Sequence, residues 1–168
     1  MHLRGLPRTE AEDEEKSGDQ EVKIALKYGL LITIGIVAWV LVAHLLVPDS
    51  TSKVHSFGAG IFFNLMEICG IFLGISAKGR ESRGKPTFKD GLKTGVSIAF
   101  VYALSAALFF LLELFLIGSK LMAAEPGAQT RPLWQTAVAA FAGLFVGALL
   151  FGLVYSTVIA FFLARKLD

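Results

Sequence analysis

Residues 95–117 read GVSIAFVYALSAALFFLLELFLI, a run in which Glu113 is the only charged side chain. A helix needs about 20 apolar residues, each rising about 1.5 Å, to cross the hydrocarbon core of a bilayer, so this run is long enough to span one. Three further runs of the same kind stand at 28–47, 57–77 and 134–164. The composition agrees, because 54% hydrophobic and 18% charged residues, with the charges gathered outside four blocks, describe a polytopic membrane protein rather than a water-soluble domain. A chain of 168 residues leaves no room for a second domain.

The fold class expected is an all-α membrane protein, an antiparallel bundle of four transmembrane helices with a disordered acidic N-terminal tail. The domain is placed at 24–168 and its helices at about 24–47, 57–77, 88–117 and 133–165. The tail, 1–23, sets seven acidic residues between Glu10 and Glu21 against Arg4, Arg8, Lys16 and Lys23, and it lacks an apolar face to bury. The first run is read as a retained helix and not a cleaved signal peptide, since a long polar leader precedes it. The fourth run would span about 46 Å as a helix, which predicts a tilt or a projecting end.

The basic residues predict the direction of the crossings. Thirteen of the sixteen Lys and Arg lie in the head, between runs two and three, or after run four, whereas the other two loops hold only Lys53, Lys120 and Arg131. By the positive-inside rule both termini and the middle loop are expected in the cytoplasm. Neither of the other loops, 48–56 and 118–132, can hold a folded domain, so consecutive helices should pack as antiparallel neighbours. In the middle loop Pro86 breaks the chain, and Thr87 with Asp90 has the spacing of a capping box that opens a helix at Phe88. Lys78, Arg80, Arg83, Lys85, Lys89 and Lys93 are expected to meet anionic lipid headgroups.

Gly74-Ile75 closes helix two, Arg80-Glu81 stands in a basic turn, the run from Thr87 to Gly95 opens helix three, and Arg165-Lys166 follows helix four. On these residues the stretch from Gly74 to Leu116 resembles a bacterial family of four-helix membrane proteins catalogued as domain of unknown function 4199. The long acidic head departs from that pattern. The resemblance implies four helices in a bacterial inner membrane and brings no activity with it.

Glu67 stands at the midpoint of helix two, where inserting an ionised carboxylate costs roughly 2.5–3.5 kcal/mol or more. At 100° per residue Gly60, Asn64, Glu67, Ile71 and Gly74 share one stripe, which should face the bundle interior, while Phe62, Leu65, Phe72 and Leu73 face lipid. Two readings follow. Glu67 is a proton or ion site with Asn64 as its polar partner, or it is a neutral acid tied to Ser97, Tyr102, Ser105, Ser156 or Thr157 that only holds helices together. Glu113 and His44 stand at matching depth near the outer ends of helices three and one and form a candidate external pH-sensitive pair.

The small residues at four-residue spacing, Gly70 and Gly74, Gly91 and Gly95, and Ala139, Gly143 and Gly147, read as helix packing rather than a pore. The last run is the one read as an interface, with its partner in this or another subunit. Trp134 suits an interfacial anchor, and Cys69 reads as a small apolar residue. His2, His44 and His55 have no metal-ligand spacing. No phosphate loop or nucleophile motif appears, so neither an enzyme, a metal nor a cofactor is expected. Membrane lipids, a second copy or another membrane protein are the expected partners, and nucleic acid is not. The leading expectation is a structural or accessory subunit of the membrane; the alternative is a small proton-coupled transporter or exporter using Glu67.

Overall fold

The computed structural model describes residues 10–46, 53–81, 87–117 and 132–165, with side chains described for 18–42, 58–80, 87–116 and 132–165. They form four helices, α1 (Glu10–Leu46), α2 (Lys53–Glu81), α3 (Phe88–Ile117) and α4 (Leu133–Arg165), each long and apolar enough to cross a membrane. Large apolar side chains cover the outside of every helix, among them Ile34, Leu65, Phe115, Trp134 and Phe162. Such a continuous apolar perimeter is stable against lipid and not against water. The protein is therefore a multi-pass helical membrane protein.

Helices α3 and α4 open where the chain chemistry allows. Asp90 N donates to Thr87 Oγ1 at 3.2 Å and the Thr87 hydroxyl donates to Asp90 Oδ2 at 2.7 Å, so the capping pair closes on itself ahead of Phe88. At α4 the Pro132 carbonyl accepts from the amides of Gln135 and Thr136 at 3.0 and 3.2 Å.

In lipid the helices gain nothing from hiding apolar surface from one another, so close backbone approach and polar ties have to hold the bundle. The closest seam joins α3 to α4. Gly91 faces Ala160, Gly95 faces Ser156, and Ala99 faces Gly152, so that two ladders of small residues meet in antiparallel register. A Cβ on Gly95 would lie 2.5 Å from Ser156 Oγ. On α2, Gly70 and Gly74 admit the side chains of Ile32 and Tyr28 from α1, and Trp39 stacks on Phe62 with ring centroids 4.4 Å apart. Around the bundle the order is α1, α2, α4, α3, with α2 and α3 touching across the short diagonal. Across the long diagonal α1 and α4 make no substantial contact among the described residues.

Two expectations change. The acidic segment placed in a disordered tail is helical from Glu10 onward; its Glu, Ala and Lys are good helix formers, and an acidic sequence suits the N-terminal end of a helix. Glu21 anchors that extension: its Oε2 lies 2.7 Å from Lys93 Nζ, and Ser97 Oγ donates to its Oε1 at 3.4 Å. Residues 1–9 lie outside the described residues. The basic residues also divide. Arg80 and Lys89 are exposed, Lys78 is buried, and the exposed Lys93 is held by Glu21, while Arg83 and Lys85 lie outside the described residues.

The small-residue run of α4, expected to pack in this or another subunit, stands apart from the helices of its own chain at Gly143 and Gly147. Ala139 and Gly143 are exposed, and a Cβ on Gly143 or Gly147 would meet nothing within 4 Å. The α4 ladder that packs within the chain is Gly152, Ser156 and Ala160 instead, because it faces the glycines of α3. This difference sets up a comparison. A Cβ at Gly29 would lie 2.7 Å from Val101 Cβ and 3.0 Å from the Ile98 carbonyl, neither of which is a flexible chain end. Gly29→Ala is expected to destabilise by about 1–3 kcal/mol, whereas Gly143→Ala should be neutral or stabilise by roughly 0.5–1 kcal/mol through helix propensity. Thermal unfolding in detergent compares the two, and equal loss in both would contradict the packing described.

Candidate functional site: a buried carboxyl beside an intramembrane cavity

Glu67 is the central residue of α2 and is 3% exposed. The α2 stripe turns inward as its spacing requires, with Gly70, Ile71 and Gly74 buried and Asn64 half-buried, although Gly60 at its end is exposed. Leu65, Phe72 and Leu73 are exposed on the other face. The carboxyl itself fits a notch in α4: a Cβ on Gly152 would lie 2.9 Å from Glu67 Oε1.

That oxygen is buried and has no hydrogen-bond partner among the described residues. Three of the side chains expected to tie it, Ser105, Thr157 and Ser97, are bonded elsewhere. Ser105 donates to the Val101 carbonyl at 2.7 Å and its oxygen meets the Thr33 hydroxyl at 2.6 Å, tying α3 to α1. Thr157 donates to the Leu153 carbonyl at 2.8 Å, and Ser97 reaches Glu21. Ser156 Oγ, facing Gly95, is buried without a partner as well. Tyr102 and Tyr155 lie within electrostatic range of the carboxyl, but neither makes a hydrogen bond to it.

Asn64 also differs from expectation. Its Nδ2 donates to the Gly60 carbonyl at 2.7 Å, and its Oδ1 accepts from the Tyr155 hydroxyl, so the amide ties α2 to α4 rather than partnering Glu67. Tyr155 carries a role that its apolar sequence neighbours conceal.

Where α1 and α4 stand apart, a cavity of about 320 Å³ opens among all four helices. Glu67 and Tyr102 line it at mid-membrane, Ile36 and Val40 line it from α1, and Gly143 and Gly147 form part of the α4 wall. It runs along α3 as far as Glu113, eleven residues beyond Tyr102, or about 16 Å of helix. Glu113 is thus brought to the same cavity as Glu67. The side chain of His44 lies outside the described residues, and so does the expected Glu113–His44 pair. Among the described residues no three of His, Cys, Asp and Glu gather into a metal-binding group. Cys69 is exposed on the outside of α2.

No family model, curated protein or solved structure matches the chain. A functional reading therefore rests on the geometry of Glu67 and its cavity.

The unpaired oxygen gives that geometry a direct consequence for stability. A carboxyl that ties helices together resists replacement by an apolar group, whereas one without partners does not. Glu67→Gln and Glu67→Leu are both expected to unfold at or above the wild-type temperature, Glu67→Leu being the more stable by up to about 1 kcal/mol. A fall of similar size for Glu67→Leu in detergent melting would show that the carboxyl does hold the bundle.

Proposed function

We propose that this multi-pass protein is a small proton-coupled transporter of a bacterial inner membrane, with both termini cytoplasmic and with Glu67 as its proton-exchanging group. One observation carries the reading: a carboxyl at mid-membrane is nearly fully buried, leaves an oxygen unpaired, and lines a cavity. An acid that only joined helices would be hydrogen-bonded across them, because that bond is its whole contribution. An acid that exchanges a proton with a solute has to keep its bonding capacity in reserve. For this reason the transporter reading is favoured over an accessory subunit. The bacterial membrane is supported by the likeness between residues 74 and 116 and the four-helix family, and the orientation by the distribution of Lys and Arg.

Without a compensating charge Glu67 is held as the neutral acid, since a lone carboxylate at that depth is expensive. Binding of a solute that supplies compensating charge releases the proton, and departure of the solute takes it back. The groups facing Glu67 are Tyr102 from α3 and Tyr155 from α4, and α1 presents only Ile36 and Val40 to the cavity. No basic side chain lines that space among the described residues.

Dicyclohexylcarbodiimide, an apolar reagent for protonated carboxyls, should modify wild-type protein at Glu67, more slowly as pH rises and the reactive neutral form is depleted. Peptide mapping by mass spectrometry locates the adduct. Modification at Glu113 alone, or a Glu67 adduct whose rate ignores pH, would overturn the role of Glu67. The orientation has its own test: reporters placed within 48–56 and after residue 168 should report opposite sides of the membrane, and agreement between them would reject it.

A further inference from the structure

We infer that the cavity beside Glu67 binds a lipophilic ammonium ion, with Glu67 as its counter-ion and aromatic rings as its cage. The inference rests on the proton-exchange reading above and adds the chemical class of the solute. It follows from what lines the space. Four phenylalanines, Phe63, Phe109, Phe110 and Phe151, together with Tyr102, come from α2, α3 and α4 to one cavity. Ring faces attract cations, and most strongly where water is excluded.

The polar inventory selects the sign of the charge. Of the polar side chains on the wall, Asn64 has its carbonyl oxygen engaged by Tyr155 and its amide nitrogen by Gly60. Among the described residues Glu67 and Glu113 are the charged types on the wall, and no Lys, Arg or His lines it. An anion would meet the Glu67 carboxyl and no positive side chain among the described residues. A polyol would leave most of its hydroxyls without partners, at a cost for each. A plain hydrocarbon would fit the walls but leave Glu67 Oε1 unpaired. A cation with an apolar body satisfies both the rings and the carboxyl, and a space of about 320 Å³ suits a small organic ion.

The proton balance is fixed by the ion. A quaternary ammonium cannot take a proton, so on binding it leaves Glu67 as carboxylate and one proton passes to solvent. A neutral amine arriving from the bilayer instead accepts the Glu67 proton on its nitrogen, and none is released. Glu113 stands at the far end of the same cavity.

The full chain in detergent is titrated with benzyltrimethylammonium and, separately, with neopentylbenzene, its uncharged isostere, following heat and proton release. The ammonium ion should bind at least roughly ten-fold more tightly than the isostere and release one proton, and Glu67→Gln should lose roughly ten-fold or more in ammonium affinity and all of the release. Gly147→Leu adds a side chain where a Cβ meets nothing within 4 Å, leaves Glu67 in place, and should also weaken binding. Equal binding of the isostere would make the cavity a slot for hydrocarbon and overturn the inference. So would undiminished ammonium binding by Glu67→Gln. If the ammonium ion fails to bind while Glu67 still reacts with carbodiimide in a pH-dependent way, the solute class is wrong and the proton-exchange reading stands; if that reaction is absent too, both fall.

Discussion

The close approach of α3 and α4 is the constraint on which the other features depend. Gly91, Gly95 and Ala99 meet Ala160, Ser156 and Gly152 in register, and in a bilayer such contact replaces the hydrophobic drive that packs helices in water. Three consequences follow from that one seam. It brings the α4 backbone against α3, it places Gly152 opposite Glu67, and it leaves Ser156 with a buried hydroxyl and no partner. A side chain larger than hydrogen at residue 152 would occupy the notch that receives the carboxyl. The position of the acid is thus set by a residue that carries no chemistry of its own.

Polar ties do the corresponding work between α1 and α3. Thr33 meets Ser105 at mid-membrane, and Glu21 meets Lys93 and Ser97 at the end of the bundle that bears the basic loop. The two sets differ in kind. The hydroxyl pair lies among apolar neighbours where water does not compete, while Lys93 remains two-thirds exposed, so that its pairing with Glu21 is screened and contributes little by itself. Its value is in direction: a carboxylate from the N-terminal extension is drawn to the start of α3, and the helix continues through a sequence that has no apolar face to guide it.

How much of this was legible in the sequence depends on the range of the interaction. Spans and caps are local, and α3 and α4 run over the residues that hydropathy, Thr87 and Asp90 indicate. The inward turn of Glu67 and the outward turn of Leu65 and Phe72 follow from helical period alone. What could not be read is which four-residue ladder meets which. Ala139, Gly143 and Gly147 form as good a ladder as Gly152, Ser156 and Ala160, and the choice is made by the facing helix, beyond any periodicity within α4. The same holds for Asn64: one turn from Glu67 on α2, it is claimed by Tyr155 from α4. The helical extension at Glu10 failed for another reason, because composition reports the lack of a core and not the presence of a partner such as Lys93.

The cavity and the unpaired acid arise together from the shape of the bundle. Four helices of equal girth in a square would contact only their neighbours and enclose a small central channel. Here α2 and α3 touch across one diagonal, so the other lengthens and α1 and α4 separate. Had Gly143 and Gly147 been large residues, their side chains would fill that gap and the carboxyl would lie sealed in a packed core. With glycine there, the wall stays back from Glu67, and space for a solute exists beside the acid. A sealed, unpaired carboxyl would be a pure cost to stability. One that borders an apolar cavity has a way to recover that cost whenever a compensating charge occupies the space, and the proposed coupling of a solute to a proton rests on that recovery.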